Sequence, residues 1–212
     1  KTEAEYELAD AIYTHSTYTH NSLLEFGIPE SKLKRTRLTV NPRFQPPVKK
    51  PDDGRFRVVY AGRVDATKGI PHLLEAFSRL DDPNAILTLV GGWSSRQMKR
   101  YMQRWLAKDD RIRMAPGDPL VAFQEADLFV HPTYEDGFAY APMEAMACGV
   151  PVVVTDETGM QEHVEEGKTG FIVPAGSWEV LLERMQHVRG HPLARTRQTD
   201  THTGADGLRP QP

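Results

Sequence analysis

Two carboxylates stand close together in the segment Pro132–Thr155, which reads PTYEDGFAYAPMEAMACGVPVVVT. Asp136 and Glu144 are eight residues apart, on either side of a turn and the start of a helix. Carboxylate oxygens accept hydrogen bonds from sugar hydroxyls, and the free N–H groups at a helix start attract phosphate. The spacing therefore suggests a site for a sugar nucleotide.

The elements around these carboxylates follow from local physical chemistry. Asp127–His131 is an apolar run typical of a buried strand, and Pro132 ends it. Gly137 permits a turn with positive φ or a close approach to the backbone. Pro142 predicts the first turn of a helix that Gly149 terminates, which leaves the N–H groups of residues 138–143 available for phosphate.

Glu144 has two interpretations in this arrangement. As an acidic residue in a first helical turn, it would offset the helix dipole and cap free N–H groups. Alternatively, it would accept hydrogen bonds from ribose hydroxyls while the helix start holds a diphosphate. Spacing alone does not decide between them.

The segment resembles the signature of retaining GT-B glycosyltransferases of the family 4 type, the glycosyl transferases group 1. That signature contains two glutamates separated by seven residues. Asp136 stands where the family has the first glutamate, and Ala139 where it has a second glycine. Either the loop lies closer to the sugar, or Glu135 takes the role of the first glutamate. The matching positions are Gly137, Phe138, Glu144, Ala145, Met146, Ala147, Gly149, Pro151, Val152 and Val153.

A second block, Val58–Arg63 followed by Lys68–Ile70, strengthens the resemblance. It predicts a strand, a turn and an amphipathic helix, the opening of a βαβ unit. Gly62, Arg63 and Lys68 follow the carboxyl end of the strand, where open parallel sheets bind ligands. Taken alone, the two cations would be solvated loop residues. The resemblance instead implies that Arg63 and Lys68 contact the donor diphosphate.

The remaining patterns predict an α/β fold, a Rossmann-like doubly wound parallel sheet forming the C-terminal half of a two-domain GT-B architecture. Further strands are expected at Ala85–Val90, Arg111–Met114 and Pro151–Thr155, with a helix at Ser94–Ala107. Asp156–Glu162 followed by Gly170–Val173 resembles the family's closing segment. The resemblance associates the nucleotide base with the loop after the third strand, but residues 115–119 form a shortened version of it.

The domain organisation follows from the same comparison. Residues 55–190 are expected to form the nucleotide-sugar donor-binding domain, after an interdomain linker at 41–54. Residues 1–40 resemble the end of an N-terminal acceptor domain, with a helix end at Glu5–Ala9, a strand at Ala11–Thr14 and a helix at Ser22–Phe26. The chain is thus interpreted as a fragment, and residues 191–212 as a disordered tail because they are polar and proline-containing.

Composition narrows the choice of partners. The net charge of −3 and the lack of an evident basic face argue against nucleic acid. No apolar run is long enough to span a bilayer, so a cytoplasmic location is expected. Peripheral membrane association through the upstream domain is the alternative. Cys148 is expected to be a buried structural thiol, and His15 and His20 to be surface residues rather than metal ligands.

The resemblance implies transfer of a glycosyl residue from a nucleoside-diphosphate sugar to an unknown acceptor, with retention of configuration and without metal or cofactor. Arg63, Lys68 and the N–H groups near Phe138 and Ala139 would stabilise the diphosphate. Asp136 or Glu135 would orient sugar hydroxyls. Two alternatives remain: a non-catalytic nucleotide-sugar-binding module, and a nucleotide-sugar epimerase, against which the Glu-Ala-Met-Ala block argues.

Overall fold

The computed structural model describes residues 2–193. A small unit comes first, consisting of two helices and two short parallel strands. Its elements are α1 (Thr2–Leu8), β1 (Ile12–Thr14), α2 (Thr17–Glu25), a 3₁₀ turn (Glu30–Lys32) and β2 (Leu33–Arg35). Residues 41–54 then lead, without helix or strand, into the main unit.

The main unit is built on a six-stranded sheet in which every pairing is parallel. The strands are β3 (Phe56–Ala61), β4 (Ala85–Val90), β5 (Ile112–Ala115), β6 (Leu128–His131), β7 (Val152–Thr155) and β8 (Gly170–Val173). The helices are α3 (Ile70–Ser78), α4 (Arg96–Lys108), α5 (Leu120–Glu125), α6 (Tyr140–Ala147) and α7 (Trp178–Gly190), with a 3₁₀ turn at Gly159–His163.

Alternating side chains of β3 explain why helices cover both faces of the sheet. Val58 and Tyr60 are buried in one apolar cluster with residues of α3, α4 and α7. Val59 and Ala61 are buried in a second cluster with residues of α5 and α6. Strands covered on both faces are mostly apolar, which is why the nearly continuous apolar run Ala85–Val90 was recognisable as a strand. The predicted doubly wound α/β fold is confirmed.

The order of the strands is β5-β4-β3-β6-β7-β8. The chain therefore moves outward from β3 in one direction and then returns to continue from β6 in the other. The loops that leave the carboxyl ends of β3 and β6 are neighbours at this reversal, and we call the sheet edge that they form the crevice. In open parallel sheets such a reversal of strand order is where ligands bind.

Several local predictions need correction. The second helix begins at Thr17, not at Ser22, because Ser16 caps its N-terminus by accepting a hydrogen bond from the Thr19 N–H. Strand β2 was not predicted; of its three residues only Leu33 is buried, so it carries little apolar signal. Of the predicted disordered tail, residues 194–212 lie outside the described residues.

The expectation that no concentrated basic face exists is also wrong. Helix α4 carries five exposed cations, and residues 94–108 include neither aspartate nor glutamate. The small net charge of the whole chain hid this local excess. No helix within residues 2–193 is long and apolar enough to cross a bilayer.

Candidate functional site

The loops that follow β3 and β6 meet at the strand-order reversal. The Tyr134 N–H donates to the Thr67 carbonyl at 3.0 Å. Gly69, which precedes α3 and has φ of +68°, lies so close to Pro132 that a β-carbon there would overlap the Pro132 carbonyl oxygen. Only glycine combines this left-handed backbone with this close approach. The two loops are thus held together by backbone contacts.

Lys68 and Asp136 form the centre of the site. The Lys68 Nζ lies 2.6 Å from the Asp136 Oδ2, and their side chains are 22% and 19% exposed. Lys68 also reaches the Glu135 carbonyl at 3.4 Å. These residues are 68 positions apart in the chain, and the fold brings them together across the crevice.

His131 lies beneath this pair at the end of β6. Its ring is 4% exposed and is stacked against the rings of Tyr60 and Phe129. The His131 Nε2 lies 3.4 Å from the Asp136 Oδ2. Burial opposes ionisation of Asp136, but His131 and Lys68 outweigh it and hold the pKa of the carboxyl at about 2. Asp136 is therefore an anion at physiological pH.

The two alternatives for the first carboxylate differ in environment. Glu135 has an exposed side chain and contributes only its backbone carbonyl to the crevice, whereas the Asp136 carboxylate points at Lys68. Arg63, the other predicted cation, is on the β3 loop with its side chain 64% exposed. Its nearest counter-charge is Asp65, at 3.9 Å. The Gly62 N–H is used by the Val90 carbonyl, at 2.9 Å, so Gly62 serves the loop backbone.

The backbone of Gly137 is held by residues of the small N-terminal unit. The sequence did not predict this contact. Its carbonyl accepts hydrogen bonds from Ser16 Oγ at 2.6 Å and Thr19 Oγ1 at 3.0 Å. Its φ is not in the left-handed region, and a β-carbon would come within 2.7 Å of Thr19 Oγ1. Gly137 thus allows α2 to approach closely and is not needed for a positive-φ turn, and a β-carbon there would displace the Thr19 hydroxyl. Since carbonyl and amide of one trans peptide point in opposite directions, this contact aims the Phe138 N–H away from α2.

The start of α6 differs from the prediction in a way that matters for Glu144. The helix begins at Tyr140, after Ala139, whose side chain offers no capping group. Pro142 is the third helical residue, and Glu144 lies in the second turn. The dipole-capping interpretation of Glu144 is therefore wrong. Phe138, before the helix, is half-buried and makes an edge contact with His163 at 5.7 Å between ring centroids.

Glu144 occupies an environment that disfavours its charge. Burial raises the pKa of its carboxyl, Arg43 lowers it and Asp118 raises it further. Arg43, from residues 41–54, contacts Asp118 through two hydrogen bonds, one of 3.3 Å from Nη2 to Oδ1. The shortened loop at 115–119 is thus tied to the segment predicted as the linker, beside Glu144. Neither residue was singled out from the sequence.

The cysteine and the two histidines considered as metal ligands lie outside the crevice loops. Cys148 is buried, as expected. His20 lies 3.4 Å from the Thr14 hydroxyl through its Nδ1, and His15 contacts the ring of Phe138. Residues 2–193 contain no group of three or more His, Cys, Asp or Glu side chains that could hold a metal ion.

Three known proteins are similar to this chain in sequence or in fold. The capsular polysaccharide biosynthesis glycosyltransferase CapM of Staphylococcus aureus is 29% identical over 136 residues, which cover 62% of this chain and 36% of CapM. Sucrose-phosphate synthase from Thermosynechococcus elongatus superposes with a TM-score of 0.78 at 26% identity, covering 91% of this chain and 53% of that protein. HepE from Anabaena, solved with UDP-glucose, gives a TM-score of 0.73 at 19% identity, covering 84% of this chain and 54% of HepE.

This chain spans about a third of CapM and about half of the two solved proteins. The family model described as "Glycosyl transferases group 1" matches residues 42–199. That range includes both loops of the crevice and all six strands of the main sheet. The chain therefore belongs to the glycosyl transferases group 1 family.

Proposed function

We propose that this chain binds the nucleoside-diphosphate sugar of a glycosyltransferase reaction in the crevice between the β3 and β6 loops, and that the whole protein transfers the glycosyl residue with retention of configuration. One observation carries the proposal: Lys68 and Asp136 meet across the strand-order reversal, 2.6 Å apart. A cation for phosphate and a carboxylate for hydroxyls are the two chemistries that a sugar nucleotide requires. The occurrence of UDP-glucose in HepE supports a donor of this class.

In the proposed complex, Lys68 exchanges Asp136 for a phosphate oxygen, and Asp136 becomes available to the sugar hydroxyls. His131 remains beside Asp136 and keeps its carboxylate charged after Lys68 has moved. Arg63, with an exposed side chain, closes over the diphosphate from the β3 loop. The Phe138 N–H and the start of α6 add donors on the opposite side. Glu144 accepts hydrogen bonds from the ribose hydroxyls.

The chemical step follows from the charge that develops. The bond between the anomeric carbon and the diphosphate oxygen breaks while the acceptor oxygen bonds to that carbon from the same face. Negative charge grows on the leaving diphosphate, where Arg63 and Lys68 stabilise it. The proton of the acceptor hydroxyl passes to a diphosphate oxygen, so neither metal nor cofactor is invoked. The acceptor is set by parts of the protein outside the donor crevice.

A non-catalytic binding module is the second candidate, because Asp136 is one methylene shorter than the family glutamate and Ala139 replaces a glycine. Both candidates require the crevice to bind a nucleotide, so binding is measured first. The chain is titrated calorimetrically with UDP, GDP and ADP and with their common sugar conjugates.

We expect saturable binding of one nucleotide. Arg63→Ala should weaken it about 10- to 150-fold, corresponding to about 1.5–3 kcal/mol for a charge-assisted contact. Arg104→Ala is the matched control, since it removes the same charge from α4 and should leave affinity unchanged. Equal affinities in both variants would contradict the role of Arg63. Sugar transfer by the whole protein then separates enzyme from module, and product analysis separates transferase from epimerase.

A further inference from the structure

Helix α4 presents a concentrated positive surface outside the donor crevice. Its five cationic side chains are all exposed, and together we call them the basic face; they are Arg96, Lys99, Arg100, Arg104 and Lys108. At 100° per residue these positions fall within an arc of about 180° on one side of the helix. Met98 and Met102 are buried on the opposite side. The cations therefore point in a common direction, away from the core.

The basic face is not neutralised within the described part of the chain. Over residues 2–193, none of its five cations forms an ion pair with a carboxylate. Asp109, at the C-terminal end of α4, is engaged by Arg111 at 2.7 Å. Asp110 is exposed beside it, and Asp65 near the N-terminal end already accepts from Thr67. Like charges at helical spacings of three and four residues repel one another, so an anionic partner that covers this surface would relieve the repulsion.

Two tryptophans adjoin the basic face. Trp93 precedes α4 and is 37% exposed, which is unusual for a residue of its size. Trp105 is partly buried, and the Lys108 ammonium lies 4.8 Å from the centroid of its ring. Tryptophan favours the boundary between water and lipid, and clusters of four to eight basic residues on a helix bind anionic membrane surfaces.

We propose that the basic face of α4 binds the surface of an anionic phospholipid bilayer. The apolar side of α4 is packed in the core, so the attachment is electrostatic and peripheral, with Trp93 at the interface. A nucleic acid would supply phosphates too, but single-stranded binders use a groove lined with stacking rings. The five cations instead lie on the exposed side of one helix, and Trp105 is packed against the core. Membrane contact is thereby assigned to the main unit, whereas the sequence predicted it for an upstream domain. It does not depend on the proposed function.

The experiment is co-sedimentation of the chain with vesicles of phosphatidylcholine alone and of phosphatidylcholine mixed with phosphatidylglycerol. We expect binding only to the mixed vesicles, and its loss at high salt. The double variant Arg100→Gln, Arg104→Gln should reduce partitioning about 30-fold, which is about 2 kcal/mol at about 1 kcal/mol for each basic residue. The control double variant, Lys34→Gln with Arg37→Gln, makes the same change of charge at exposed positions elsewhere.

Each outcome decides the proposal. Retained binding in the control, together with loss in the α4 variant, supports it. Absence of binding, or equal loss in both variants, overturns it, because binding would then depend on net charge and not on α4. The same variants are titrated with a duplex oligonucleotide; α4-dependent binding there without vesicle binding would assign the basic face to nucleic acid. Circular dichroism verifies that each variant is folded.

Discussion

Gly69 is the residue at which the two loops of the donor crevice touch, and Gly69→Ala tests whether that contact shapes the site. Two costs are expected. The residue has φ of +68°, a conformation that costs an L-residue about 1–2 kcal/mol. The new methyl group would also overlap the backbone carbonyl of Pro132, which no side-chain rotation relieves. Overpacking of this kind typically costs about 1–3 kcal/mol.

A matched control separates these costs. Gly167 has φ of +73° with nothing within 4 Å of its added β-carbon, so Gly167→Ala pays for the backbone conformation alone. In urea unfolding, we expect Gly69→Ala to lose about 2–5 kcal/mol of the free energy of unfolding and Gly167→Ala about 1–2 kcal/mol. For a chain of this size the corresponding falls in Tm are about 4–20 °C and about 2–8 °C.

Function should distinguish the two variants as well. Moving Gly69 away from Pro132 also moves Lys68, so Gly69→Ala should bind nucleotide more weakly at a temperature where both variants remain folded. Gly167→Ala should bind as the original chain does. Equal losses of stability in the two variants would show that the close approach of Gly69 to Pro132 contributes nothing.

Two further predictions concern Glu144 and Gly137. Burial raises the pKa of Glu144, so the fold loses stability as the pH rises through that pKa and the carboxyl ionises. Glu144→Gln should therefore raise Tm at neutral pH, and the gain should vanish in acid. The same variant should weaken nucleotide binding by about tenfold or more. A neutral-pH Tm below that of the original chain would contradict this. Ser16→Ala removes both the N-cap of α2 and a donor to the Gly137 carbonyl, and should cost about 1–2 kcal/mol in urea unfolding. Ser22→Ala, at an exposed position of the same helix, is its control; equal losses would argue against the Gly137 contact.

The parallel sheet could be predicted because its strands carry their own signal. Buried on both faces, they appear as continuous apolar runs, and Ala85–Val90 matches β4 at both ends. The positions of Lys68 and Asp136 followed from the same reasoning, since each comes after the carboxyl end of a strand. Their direct contact could not be predicted, because strand order is a property of the whole chain.

The parts that were missed have weak or misleading local signals. Pro142 is compatible with any position in a first turn, so it did not locate the helix start at Tyr140. Glu144 was therefore predicted in the first turn and lies in the second. The contact of Ser16 with Gly137 joins residues 121 positions apart; the available signal was the capping preference of serine before α2. The cations of α4 recur at spacings of three and four residues, so the sequence does carry this signal. The net charge of the whole chain does not show the local excess.

A backbone contact between the two loops of the crevice determines where its charged side chains lie. Reversal of the strand order brings the β3 and β6 loops to one edge of the sheet, but it does not by itself set their separation. The approach of Gly69 to Pro132 does. Lys68 is the residue before that contact and Asp136 comes four residues after it, so both charged groups are carried to the same point. A side chain at position 69 would separate the loops and, with them, the cation from the carboxylate. Gly69 therefore determines the separation between Lys68, which would bind the diphosphate, and Asp136, which would bind the sugar.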